Sequence, residues 1–151
     1  MNEKEANAKF RKNVIKPMDR YDRIENIVGV GNPDINYCIV GVEGWIETKC
    51  PKEPKRPGTP LFGSSHRLSI DQKNWFLRQK NSGGEGWVLI LTDKNRWLLI
   101  NGCKYADEIN TATIESLIKM SAYHCINPNS DDFGNIRDLL SDHSIRPIGI
   151  Y

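Results

Sequence analysis

Four prolines at intervals of three, Pro51, Pro54, Pro57 and Pro60, run through the middle of this 151-residue chain. A proline fixes its own φ, lacks an amide proton and biases the preceding residue toward extended backbone. No helix or central strand can therefore cross Cys50 to Arg67. The segment reads as a stiffened, extended loop. It is also basic: Lys49, Lys52, Lys55, Arg56 and Arg67 stand against one acid, Glu53, a local excess of four positive charges.

Regular structure must lie on either side. Upstream, Glu3 to about Ile15 favours helix, with Ala6, Phe10 and Val14 as a narrow apolar stripe. Pro17 ends it, and Met18 to Ile27 is expected to hold a further short helical turn. Gly29, Gly31 and Asn32-Pro33 then demand a loop. Ile35 to Val40 and Trp45 to Lys49 are β-rich and flank Gly41-Val42-Glu43-Gly44, which predicts a hairpin with a three- or four-residue loop.

Downstream, Ser69-Ile70-Asp71-Gln72 is a capping box that opens a helix through about Asn81, closed by Gly83-Gly84. Strands are expected over Gly86 to Leu91 and Arg96 to Ile100, and helices over Thr111 to about His124 and from Asp131 or Asp132 onward. This order predicts an α/β fold with one mixed sheet flanked by helices. A chain of 17.3 kDa has room for one domain, residues 1–151, with one core.

Several function classes fall away. The longest apolar runs, such as Trp87 to Leu91, are far shorter than the roughly 20 residues of a bilayer-spanning helix. The charged start lacks the apolar stretch of a signal peptide, so a cytoplasmic, reducing setting is expected. Cys38, Cys50, Cys103 and Cys125 form no C-x-x-C pair and read as free thiols, which leaves no zinc or redox motif. A net charge of +2 confines any nucleic-acid surface to a local patch.

Chemistry concentrates around the first hairpin. Alternation along a strand puts Trp45, Glu47 and Lys49 on one face and Ile46 and Thr48 on the other. Asp34 enters from the start of the partner strand and is expected near Glu47, directly or through a bulge. Two carboxylates converging on one spot repel unless a cation sits between them. Hard oxygen ligands without His or Cys favour Mg²⁺, with Mn²⁺ as a substitute. Such a site suits phosphodiester hydrolysis, with Lys49 beside the attacking water. The competing reading is plain: E-x-K recurs at Glu53-Pro54-Lys55, and a surface ion pair is worth only about 0–1 kcal/mol.

Taken in order, Gly31-Asn32-Pro33-Asp34, Gly44-Trp45-Ile46-Glu47-Thr48-Lys49, Leu68-Ser69-Ile70-Asp71-Gln72 and Gly84-Glu85-Gly86-Trp87-Val88 resemble the PD-(D/E)xK nuclease superfamily. They are most like phage-type VRR-NUC and Holliday-junction-resolvase-like nucleases, in which G-x-P-D, E-x-K and L-S-x-x-Q follow one another. The likeness spans about residues 23–100, and the segment from about 104 to 151 is expected to be a helical extension.

The resemblance implies a restriction-endonuclease-like fold. It implies Asp34, Glu47 and the Thr48 carbonyl as Mg²⁺ ligands, Lys49 as a catalytic residue, Glu25 as the acid of the family's first helix, and Gln72 as the glutamine near the metal. The expected function is Mg²⁺-dependent DNA endonuclease, branched-DNA resolving or else homing- or restriction-type. The alternative is a nuclease-fold DNA-binding module without turnover. Lys52, Lys55, Arg56, His66, Arg67 and Gln72 are the expected DNA contacts. A homodimer without organic cofactor is expected, in the host cytoplasm if the protein is phage-encoded.

Overall fold

The computed structural model describes residues 1–24, 31–63 and 66–142. Helix α1 (Glu3–Val14) leads into strand β1 (Arg20–Arg23), β2 (Ile35–Ile39) and β3 (Val42–Lys49). After the proline loop come α2 (Ile70–Asn81), β4 (Trp87–Leu91), β5 (Arg96–Asn101), α3 (Gly102–Ile109), α4 (Ile114–Met120), β6 (Tyr123–Ile126) and α5 (Ser130–Leu140). The strands form one six-stranded sheet in sequence order. Every neighbouring pair is antiparallel except β3 and β4. That single parallel step is forced by the proline loop and α2, which carry the chain back across the sheet before β4 begins.

Two apolar cores sandwich the sheet. On one face Ala6, Phe10 and Val14 of α1 and Ile136 and Leu140 of α5 pack on Ile35, Tyr37, Ile39, Ile46, Leu89 and Trp97. On the other, Phe76 of α2, Ala106 and Ile109 of α3 and Leu117 of α4 cover Val88, Ile90, Leu98 and Ile100, joined by Leu61, Phe62 and Leu68 from the connecting segment. Strands β4 and β5 are buried on both faces, which is why their sequences are unbroken apolar runs rather than alternating ones.

Four expectations about local structure are corrected. Residues 20–23 are an edge strand, paired through Arg20↔Cys38 to Arg23↔Ile35, and not a helical turn. The first hairpin turns at Val40-Gly41, both at positive φ (50° and 76°), so β3 starts at Val42 and the loop is two residues long. The expected helix from Thr111 to His124 is only α4, because Tyr123 to Ile126 pair with β5 as the sixth strand. Helix α3, with Asn101 as its N-cap, follows β5 without a loop. The last helix is capped two or three residues earlier than expected, by Asn129 with Asp132 completing a capping box.

Candidate active site

Strand β3 divides its last residues between the two cores. Ile46 and Cys50 join the α1 side, so Glu47 and Lys49 face α2, together with Trp45, whose ring lies 5.5 Å from that of Trp75. Both charged residues are buried, Glu47 at 2% exposure and Lys49 at 6%. The β2–β3 register pairs Ile35 with Ile46, and one further step sets Asp34 opposite Glu47. No bulge is needed. Asp34 Oδ2 accepts a hydrogen bond from the Thr48 backbone N–H at 3.0 Å, which fixes the carboxylate against the strand.

The loop leading to Asp34 is held by a close backbone approach. Gly31 has φ of 85°, and a Cβ there would lie 2.4 Å from the Asp71 carbonyl oxygen, so glycine alone lets this loop pack on the first turn of α2.

Gln72 ties the charged groups together. Its Oε1 accepts from the Ser69 backbone N–H at 2.9 Å, completing the capping box, and from Lys49 Nζ at 3.2 Å. Its Nε2 donates to Glu47 Oε1 at 3.1 Å. The same side chain thus caps α2 and bridges the acid to the amine of the E-x-K motif. Lys49 Nζ also donates to the Arg67 carbonyl at 3.3 Å.

Burial pushes the Glu47 carboxyl far above the usual carboxylate range. The negative charge of Asp34 and a hydrogen bond between the two carboxyls raise it further, and Lys49 offsets only part. Both causes favour the protonated form of Glu47, and an opposing charge would favour the carboxylate. Two hard carboxylates and the adjacent backbone of Thr48 fit a divalent cation such as Mg²⁺ in donor chemistry. The Thr48 hydroxyl is not part of this set: it is buried on the α1 side and meets no partner among the described residues.

One acid was missed by sequence reasoning. Burial, then the charge of Asp34, raise the pKa of Glu3 in the first turn of α1, while Lys49, His66 and Arg23 act against the rise. Glu3 is thus an electrostatic neighbour of the site. The available signal is its position on the helical face of Ala6, Phe10 and Val14, which an acid in the first turn only weakly marks. Glu25 lies outside the described residues. Among those described, no three His, Cys, Asp or Glu side chains close into a single metal-ligating group.

The expected DNA contacts separate into two sets. Lys52 and His66 line a cleft with Met1, Cys50 and Asp93, beside the end of β3. Lys55, Arg56 and Arg67 are exposed. The second E-x-K is not a copy of the first: Glu53 accepts from Thr92 Oγ1 at 2.5 Å and from Arg96 Nε at 3.2 Å, a structural ion pair. The four cysteines are free thiols, as expected. Among the described residues no helix is long and apolar enough to cross a membrane.

Comparison with solved structures finds Archaeoglobus fulgidus Hjc, a Holliday junction resolvase from an archaeal hyperthermophile. The two superpose with a TM-score of 0.51 over 87% of this chain and 95% of that one, at 19% sequence identity. The chain shares the fold of that resolvase, a mixed six-stranded sheet flanked by helices in a single α/β domain. The resemblance read over about residues 23–100 thus extends, as a fold, well beyond Ile100, into a region without recognisable motifs. No protein-family model and no curated protein matches the sequence.

Proposed function

We propose that the protein is a divalent-metal-dependent endonuclease that cuts branched DNA, four-way junctions foremost. The observation that carries this reading is the buried Glu47, bonded to Asp34 and linked through Gln72 to Lys49, on a fold shared with a Holliday junction resolvase.

In this reading Asp34, Glu47 and the Thr48 carbonyl hold the ion, with Glu3 or Glu25 as the further acid. Bound there, Mg²⁺ or Mn²⁺ supplies positive charge to the phosphoryl oxygens and the leaving alkoxide. Lys49 orients the attacking water through its Nζ, and Gln72 keeps that amine aimed at the carboxylates. The Gln72 amide, on the sheet-facing side of α2, also reaches a substrate phosphate. Lys52, Lys55, Arg56, His66 and Arg67 contact the DNA backbone, which gives affinity without sequence preference. A homodimer supplies two such sites for two strands.

The test is cleavage of labelled four-way, flapped and linear DNA with and without Mg²⁺, for wild type and Lys49→Ala. We expect metal-dependent products from the junction, slowed roughly 10²–10⁴-fold by the substitution. DNA binding with no product in Mg²⁺ or Mn²⁺ would leave a non-catalytic module. A single cut in linear duplex alone would replace the resolvase with a homing- or restriction-type enzyme.

A further inference from the structure

The proline loop, stiffened by its own sequence, is also fastened at both ends. At its start the Glu53 backbone N–H donates to Asp93 Oδ1 at 2.8 Å. Its side chain, 5% exposed, is gripped by Thr92 of the β4–β5 connection and by Arg96, the first residue of β5. Arg96 is itself braced by His124 of β6, with Nη1 and Nε2 2.7 Å apart. At its end the Leu61 N–H donates to the Ala112 carbonyl at 3.1 Å, and Leu61 and Phe62 are buried in the α2-side core.

Between these anchors the chain makes one tight turn. Pro57 stands at its second position and Gly58, with φ of 78°, at its third, and the Thr59 N–H returns to the Arg56 carbonyl at 3.4 Å. Proline followed by a positive-φ glycine is the sequence of a type II turn, whose dihedrals these two residues favour in advance. The residues entering it are Lys55 and Arg56, both exposed. Lys55 follows Lys49 by six residues, so its backbone lies within about 20 Å of that of Lys49, the length of about six base pairs.

We infer that the turn Arg56-Pro57-Gly58-Thr59, with Lys55 leading into it, is a pre-formed clamp for the phosphate backbone of a DNA arm, and that Glu53 is the positioning residue that holds it in place. The inference rests on the DNA reading proposed above. A connection needs no buried acid at its root. A cationic tip benefits from one, because a fixed pair of charges meets two phosphates without the ordering cost of a mobile loop.

Binding of four-way-junction DNA, measured by fluorescence anisotropy at several salt concentrations, tests it with four proteins. These are wild type, Glu53→Gln, the double variant Lys55→Ala/Arg56→Ala, and the triple combination. The double variant is expected to weaken binding about tenfold and to flatten the salt dependence by one to two counterions. Glu53→Gln is expected to weaken binding about threefold to fivefold in wild type and to add nothing in the triple variant, since a positioning residue acts only through what it positions.

An equal loss from Glu53→Gln in both backgrounds would overturn the positioning role, as would no loss in either. Thr92→Val, which removes the hydroxyl contact and spares the ion pair, should repeat the Glu53→Gln pattern in weaker form, and unchanged binding would count against the role. A wild-type protein with no affinity for any DNA would sink the nuclease reading itself. Tight binding insensitive to Lys55 and Arg56 would sink this inference alone.

Discussion

Glu47-Thr48-Lys49 and Glu53-Pro54-Lys55 are the same three-residue pattern a few residues apart, and the fold gives them opposite environments. Glu47 is buried against another acid, and burial together with Asp34 raises its pKa far above normal. Glu53 is buried against Arg96 and the Thr92 hydroxyl, partners that match its charge. Lys49 is enclosed and bonded to Gln72, whereas Lys55 is in solvent. An acid that has its partner stabilises a fold. One pressed against a like charge destabilises it and is retained for what it binds.

This contrast predicts substitutions of opposite sign. Glu47→Gln should have the largest effect. It should lower metal-dependent junction cleavage by about 10³-fold or more while raising the metal-free stability by on the order of 1–2 kcal/mol in urea unfolding, because the amide folds into this site without first having to take up a proton. Glu53→Gln, the same chemical change six residues on, should instead lower stability by roughly 1–3 kcal/mol, since it leaves Arg96 without its counter-charge. Two substitutions that shift stability in the same direction would erase the distinction.

A pH series sharpens it further. Raised folded-state pKa values for Glu47 and Glu3 mean that the folded protein binds more protons than the unfolded chain. Their contribution is greatest below the ordinary carboxylate pKa and is lost as pH rises toward the raised values. Asp19, held low chiefly by its hydrogen bond from Arg137, acts in reverse: its contribution is present at neutral pH and lost as pH falls through its lowered pKa. Above pH 5 the stability gap between Glu47→Gln and metal-free wild type should therefore widen as pH rises, read from melting temperatures. A constant gap would contradict the assigned cause.

The smallest effect concerns the turn that sets the register. Val40 is 73% exposed and sits at positive φ, where a β-branched residue is strained and asparagine is favoured before glycine. Val40→Asn should stabilise by about 0.5–1 kcal/mol, equally with and without metal, in the same unfolding assay. A metal-dependent change would mean that the turn moves with the site.

Much of this was legible in the sequence because the site lies on the strongest local signals. Period-two alternation assigned Glu47 and Lys49 to one face, the capping box placed Gln72 at the start of α2, and the proline run marked the segment between β3 and α2 as neither helix nor central strand. What escaped has physical reasons. Strands β1 and β6 are edge strands with charged or half-exposed residues, Arg20–Arg23 and Tyr123–Ile126, so the neighbouring strand supplies what the sequence does not show. The two-residue hairpin was hidden because valine opposes the conformation that Gly41 imposes. Helix α3 begins directly on the last residue of β5, with only Asn101 to announce it. Glu3 was passed over because acids in a first turn are ordinarily helix-dipole partners.

The claim beneath all of this is that Asp34 and Glu47 form an acid pair completed by a divalent cation. Calorimetric titration of Mn²⁺ into wild type and Glu47→Gln, repeated in buffers of different ionisation heat, tests it directly. Wild type should bind the ion and release a proton, and the variant should bind at least tenfold more weakly with no such release. Equal binding by both proteins, or uptake without proton release, would contradict it.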